Sequence, residues 1–273
     1  MALSRRCTVF ACAALALLPA AACSKDSKPT ASSASAASSA SASLPPSSTT
    51  TTTEPASSGP CDATPVPTSA VNVTHADGDF NGDSTTDTLT VYGTGTDSQP
   101  SPYHVQIELG ASSGAVDTVI ADAATDNNQV VKALGGADIT AGGGRPPDGS
   151  GAEAFVQVGS GASASLVGVF QLIGCSLTRL VGPQGTEASL FAIGGSVTHL
   201  DGLRCDGTAG GQRLVELSAT SSDGLSYDTK ETPLQVQTAK FSPFGTPITD
   251  KLDGGDPGLQ SFSALDCPGV QAP

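Results

Sequence analysis

The stretch "HADGDFNGDSTTDTLTVY", His75 to Tyr92, sets Asp77, Asp79, Asp83 and Asp87 in one short segment and then runs straight into an alternating apolar pattern. Its second half decides the fold. In "TLTVY" (88–92), Leu89 and Val91 alternate with Thr88, Thr90 and Tyr92, the period of two that a half-buried strand requires. Short runs of the same kind recur in "YHVQIEL" (103–109), "AFVQV" (154–158) and "SLVGVFQLI" (165–173). Others are "RLVELSA" (213–219) and "LQVQTAKF" (234–241), and clusters of Gly, Asp, Ser and Pro separate them all. Helical periodicity is scarce. The pattern predicts an all-β domain of short antiparallel strands.

The acidic turn returns in weaker form. "DGDFNGDSTTDTLTVYG" is followed by "PPDGSGAEAFVQVGSG" and "CDGTAGGQRLVELSAT". Aligned on Asp87, Glu153 and Arg213, the units fall about 60 residues apart, each a Gly/Asp turn feeding a strand. Only the first keeps the full set of carboxylates.

Two readings of that first turn compete. Asp77, Asp79, Asn81 and Gly82 fit the opening of an EF-hand loop, but Thr88 stands where that loop needs a bidentate Glu, and no helix pattern flanks it. Counted from Asp79, the side chains of Asp79, Asn81, Asp83 and Asp87 alternate with non-ligand residues, and the Thr85 carbonyl falls between them. Alternation lets a tight turn aim successive oxygens at one centre, while Phe80 points away and anchors the loop to the core. If Asp79, Asp83 and Asp87 converge to about 5 Å, each pair repels by about 3 kcal/mol at an effective dielectric near 20. Three such pairs rival a domain's whole stability, so a convergent loop needs a cation, whereas carboxylates splayed into water do not. An all-oxygen set of this size favours Ca2+ over zinc or magnesium.

On these residues "DFNGDSTTDTLTVY" resembles the calcium loop of FG-GAP/VCBS-type repeats, found in integrin-like β-propellers and bacterial surface proteins. The resemblance implies Asp79, Asn81, Asp83, Thr85 and Asp87 as ligands of a structural calcium ion. Ser84 departs from it, because Gly is usual at that position. Three units are too few for a closed seven-bladed ring, so the expected architecture is an incomplete propeller-like or sandwich-like β-domain.

The N-terminal residues read differently. Arg5 and Arg6 precede an apolar run, Val9 to Leu18, too short to span a bilayer, and small residues follow: the layout of a secretory signal peptide over residues 1–22. "SRRCTVF" partly resembles a twin-arginine signal, with Thr8 where a large apolar residue is expected. "PAAACSKD" resembles a bacterial lipoprotein lipobox, with Ala20 in place of the preferred Leu, and implies lipidation of Cys23 and a tether to the outer side of the membrane. Residues 24–60 are almost wholly Ser, Ala, Thr and Pro and have too little apolar surface to offset the entropy of ordering, so a disordered stalk is expected. Such a stalk spans about 33 Å as a flexible coil and about 115 Å fully extended. The whole chain resembles actinobacterial lipoproteins that carry one such repeat on a Ser/Thr stalk.

Charge narrows the partners. The chain has a formal charge of −14, and loss of Arg5 and Arg6 with the signal segment makes it −16. That balance repels nucleic acid and anionic lipid, so the membrane link has to come from the lipid on Cys23. With no Trp, the core of residues 61–273 rests on Val, Leu, Ile and Ala. Of seven cysteines, Cys61, Cys175, Cys205 and Cys267 remain in the exported domain, an even number that predicts two disulfides. Of the three pairings, Cys175–Cys205, closing the shortest loop, with Cys61–Cys267 clasping the domain's ends, is the expected one.

Other signals carry less. "GASSG" (110–114) matches G-x-S-x-G around Ser112, but the chemistry needs a strand–turn–helix that an all-β context lacks. "VGSGASA" (158–164) reads as a hairpin turn rather than a dinucleotide loop. His75 reads as a surface residue, Arg145 as a solvated loop cation, and His104 and His199 have nothing in the sequence to order them as bases. "NVT" (72–74) fits a glycosylation sequon of little use in a bacterial lipoprotein. The expectation is a non-enzymatic, lipid-anchored envelope protein whose β-domain binds or scaffolds at the cell surface, with wall polymer, carbohydrate or another protein as partner. The alternative is an accessory or catalytic module of a secreted hydrolase.

Overall fold

The computed structural model describes residues 61–110, 114–120, 123, 130–139, 151–183, 190–207, 211–237 and 239–273. The signal peptide, Cys23 and the stalk lie outside the described residues, as do Ser112 and Arg145. Strands β1 (Val71–Gly78), β2 (Asp87–Gly93), β3 (Tyr103–Leu109) and β4 (Gly114–Ile120) form a four-stranded antiparallel meander in chain order. An eleven-stranded sheet follows. It is built from β5 (Lys132–Ala137), β6 (Glu153–Ser160), β7 (Ala164–Ile173), β8 (Ser176–Arg179), β9 (Phe191–Ser196), β10 (His199–Asp206), β11 (Arg213–Thr220), β12 (Ser226–Gln237) and β13 (Lys240–Pro243). β14 (Ile248–Asp253) pairs with β12, and β15 (Leu265–Asp266) lies parallel to β10. The domain is all-β, and no closed barrel forms among the described residues.

Alternation dictates which faces are buried. Leu89, Val91, Val105 and Ile107 point inward from the meander and pack in one cluster with Val156, Val158, Phe170 and Leu172 of β6 and β7. The two sheets therefore meet face to face, as in a sandwich. β6 and β7 are buried on both faces, because Phe155, Val167 and Val169 join a second cluster with Leu134, Leu214, Leu234 and Phe241. Residues from both ends of the strand order share that cluster, so the long sheet curls around its own core. A 3-10 helix (Pro257–Ser263) lays Leu259 and Phe262 over the opposite face, against Val215 and Leu217.

The sequence runs map closely onto strands, with one exception. "LQVQTAKF" is not one strand: β12 ends at Gln237 and β13 begins at Lys240, with Ala239 in the left-handed region at φ 58°. The three weak repeats are aligned on the first residues of β2, β6 and β11.

The disulfide expectation needs correction. The bonds are Cys61–Cys175 and Cys205–Cys267, with sequence separations of 114 and 62. Strand pairing overrides loop length. Leu203 and Arg204 of β10 pair with Leu265 and Asp266, which carries Cys267 alongside Cys205. Cys61 is bonded to the start of β4 through the N–H of Ala115, and its sulfur lies by the β7–β8 turn at Gly174.

Residues 61–70 form a strap. It starts on the β4 edge, where Ala63 N–H donates to Ala115 O (2.9 Å), and enters β1 at the opposite edge. Between them Gln106 donates from Nε2 to Thr64 O (2.8 Å). Gln106 points away from the core yet is only 3% exposed, because the strap lies over it.

Candidate functional site

The acidic loop connects β1 to β2 across a turn that uses left-handed residues. Gly82 (φ 75°) and Ser84 (φ 68°) supply them. Ser84 therefore takes the conformation that glycine would take freely, at a cost of about 1–2 kcal/mol. Phe80, 1% exposed, is driven into the core shared by the two sheets, as its place between polar residues predicts. The loop is clamped from the second sheet: Gly151 N–H donates to Phe80 O (3.2 Å) and Ala152 N–H to Asp79 O (2.7 Å). A Cβ on Gly151 would stand 2.1 Å from Asp79 O, so this contact requires glycine.

Side chains organise the rest. Asp79 Oδ2 accepts from Ser84 N–H (2.9 Å), Asn81 Oδ1 from Asp83 N–H (3.0 Å) and Asp83 Oδ1 from Thr85 N–H (2.7 Å). Asn81 Nδ2 donates to Asp83 Oδ2 (2.9 Å), and this bond, followed by that of Thr85, holds the Asp83 carboxyl below its ordinary pKa. Each polar side chain thus pins the backbone a few residues ahead, an Asx-type closure that competes well with regular structure.

Asp87 behaves differently. It is wholly buried, its Oδ2 accepting from Phe80 N–H (2.8 Å) and Asn81 N–H (3.3 Å), and its Oδ1 from Gly110 N–H (3.0 Å). It is the hub that ties loop, β2 and the β3–β4 turn together. Burial pushes its pKa up, with the three N–H donors acting in the opposite direction. Glu153, the aligned residue of the second repeat, plays a similar part: buried, it accepts from Ile139 N–H (2.8 Å).

The loop therefore gathers Asp79, Asn81, Asp83, Thr85 and Asp87 in one turn. Among the described residues no group of three or more His, Cys, Asp or Glu side chains is placed to hold a metal ion. One observation fits a cation nonetheless. Asp79 Oδ1 is shut off from solvent and has no hydrogen-bond donor, and a buried carboxylate oxygen without a partner is costly. Asn81 Oδ1, the Asp83 oxygens and Asp87 Oδ1 add further oxygen acceptors to the loop.

Elsewhere, His75 is exposed and bonded through Nδ1 to Thr90 Oγ1 (3.0 Å), as a surface residue on β1. Gly161 N–H donates to Ala164 O (2.7 Å) in the β6–β7 hairpin, the turn expected for "VGSGASA". β3 and β4 pair antiparallel on either side of residues 110–113, so strand, not helix, follows Ser112. His199 lies 2.8 Å from Asp201.

A cluster that the sequence did not flag lies at the far end of β2. Asp117 of β4 lies 2.9 Å by Oδ2 from His104 Nδ1 and accepts at Oδ1 from Tyr92 OH (3.2 Å). The Tyr92 and His104 rings stack at 5.1 Å and 12°. Alternation in three strands puts these residues on one face, but only the β2–β3–β4 register makes them neighbours.

Comparison of the chain with protein-family models, with curated proteins and with solved structures finds no match.

Proposed function

We propose that the chain is an exported lipoprotein, anchored through Cys23 and held off the membrane by its Ser/Thr/Pro segment, whose β-domain takes a calcium ion in the 79–87 loop. Its work is binding or scaffolding at the cell surface, not catalysis. The observation that carries the calcium reading is Asp79 Oδ1, a buried, unpartnered anionic oxygen in a loop with further oxygen acceptors on Asn81, Asp83 and Asp87. Asp79, Asn81, Asp83 and Asp87 would hold the ion by side chain and Thr85 by its carbonyl. The ion would supply the positive charge that the loop's own hydrogen bonds do not. "PAAACSKD" and the stalk composition support the anchor.

The test is calorimetry and thermal melting with calcium and with chelator. Calcium binding should raise the melting temperature by several degrees, since a ligand at about 100 times its Kd adds about 2.7 kcal/mol. Asp79→Asn and Asp83→Ala should abolish the response. No heat and no shift in the unaltered protein would refute the calcium site. Mass analysis of the native chain should show acylated Cys23; an unmodified, soluble chain would refute the anchor.

A further inference from the structure

The strap divides the outer face of the meander. At the end away from the acidic loop it leaves a cleft of about 420 Å3, lined by Asp62, Thr94, His104, Asp117 and the strap prolines. The polar groups there are fixed before any ligand arrives. A carboxylate only accepts, so the Asp117 contact places the hydrogen of a neutral His104 on Nδ1 and leaves Nε2 as a bare lone pair. Tyr92, its pKa pushed up to about 12 first by burial and then by the Asp117 charge, stays a phenol and donates to the same carboxylate. Stacking on Tyr92 holds the imidazole plane. Three adjacent strands thus lock one histidine and one carboxylate in place, the preorganisation that a binding site needs.

The inventory of that cleft is one-sided. The remaining lone pairs of Asp117 and the exposed Asp62 carboxylate accept, as does Nε2 of a neutral His104, and the Thr94 hydroxyl donates to Pro102 O (3.3 Å). Among the described residues no Lys or Arg lines the cleft. A ligand here has to bring donors and tolerate negative potential, which excludes phosphates and carboxylates. The apolar wall of Pro65 and Pro67 suits a methylene stem. We infer that the cleft between the strap and the Tyr92–His104–Asp117 cluster binds an aminoalkyl group, a primary ammonium on a short methylene chain such as a lysine-like side chain of an envelope peptide. The chain's charge of −14 draws such a cation in. The inference rests on reading the domain as a binding module and names what it binds; it is independent of the calcium loop.

The experiment uses the full chain with its disulfides intact. Its three histidines serve as separate NMR reporters. Nα-acetyl-lysine methylamide is titrated at neutral pH, beside the same compound acetylated at Nε. The expected result is a saturable shift of the His104 ring signals with a Kd of about 1 mM, at least about tenfold weaker for the uncharged probe. His75, which lies in a different cleft, and His199 should stay unmoved. Asp117→Asn should remove the response; because that change also disturbs the cluster, Asp62→Asn, on the exposed strap, is the second variant and should weaken binding several-fold. The inference is overturned if no saturable shift occurs up to about 50 mM, if the acetylated probe binds equally, or if all three histidines respond alike. A calcium titration of the same sample reports separately on the 79–87 loop, so the two readings fail independently.

Discussion

Replacing Asp87 by alanine removes the acceptor of three backbone N–H groups at once. The Phe80 N–H is buried and cannot find water, so its loss costs about 2 kcal/mol; those of Asn81 and Gly110 are partly accessible, about 1 kcal/mol each. Burial opposes this sum. It raises the Asp87 pKa, so removing a desolvated charge returns part of that loss. The net loss is about 3 kcal/mol, or about 6–12 °C in melting temperature for a domain of this size. Asp87→Asn keeps one oxygen and should fall between the two. Urea unfolding of both variants, in chelator and in calcium, is the assay. If Asp87 is a structural hub, the loss persists in chelator, where no ion is present to be lost. A variant within about 0.5 kcal/mol of the parent in chelator would refute the hub, because such a margin is what ordinary surface changes produce.

The other predictions concern the turn, the disulfides and Tyr92. Ser84→Gly should relieve the left-handed strain and, after the entropy of glycine, stabilise by about 1 kcal/mol in the same urea assay; destabilisation would mean that Ser84 is not held at positive φ. Non-reduced peptide mapping should recover Cys61 joined to Cys175 and Cys205 joined to Cys267. Replacing the second pair by serine should cost about 4 kcal/mol and the first about 5 kcal/mol, from the loops they close. Tyr92 should ionise near pH 12 by ultraviolet titration, and Asp117→Asn should bring it part of the way back. Because the folded state holds that proton more tightly than the unfolded chain, Tyr92's contribution is fully present below about pH 10 and is lost as pH rises towards 12.

Much of the fold is legible in the chain because alternation records burial directly. Leu89 and Val91, or Val105 and Ile107, announce a strand and its inward face without reference to any partner. Phe80, set between Asp79 and Asn81, announces a loop pinned to the core in the same way. β5 ("KALGGA") and β9 ("FAIGGS") escape that reading, since paired glycines erase both alternation and β propensity while the neighbouring strands still bond their backbones. Of the acidic loop, the turn and its residues were readable; the division of labour was not. Nothing local separates Asp87, a buried acceptor of backbone N–H groups, from Asp79, whose second oxygen is left without a donor.

By itself the sequence determined that residues 61–273 form strands, which side of each strand is apolar, and that four cysteines would pair, because these depend on the properties of single residues and their spacing. Only the tertiary structure decided which cysteine meets which, that the chain entering β1 straps the meander, and that Tyr92, His104 and Asp117 share a cleft. Those outcomes are set by strand order and register, which depend on contacts between segments far apart in the chain, and no local pattern encodes which distant partner wins.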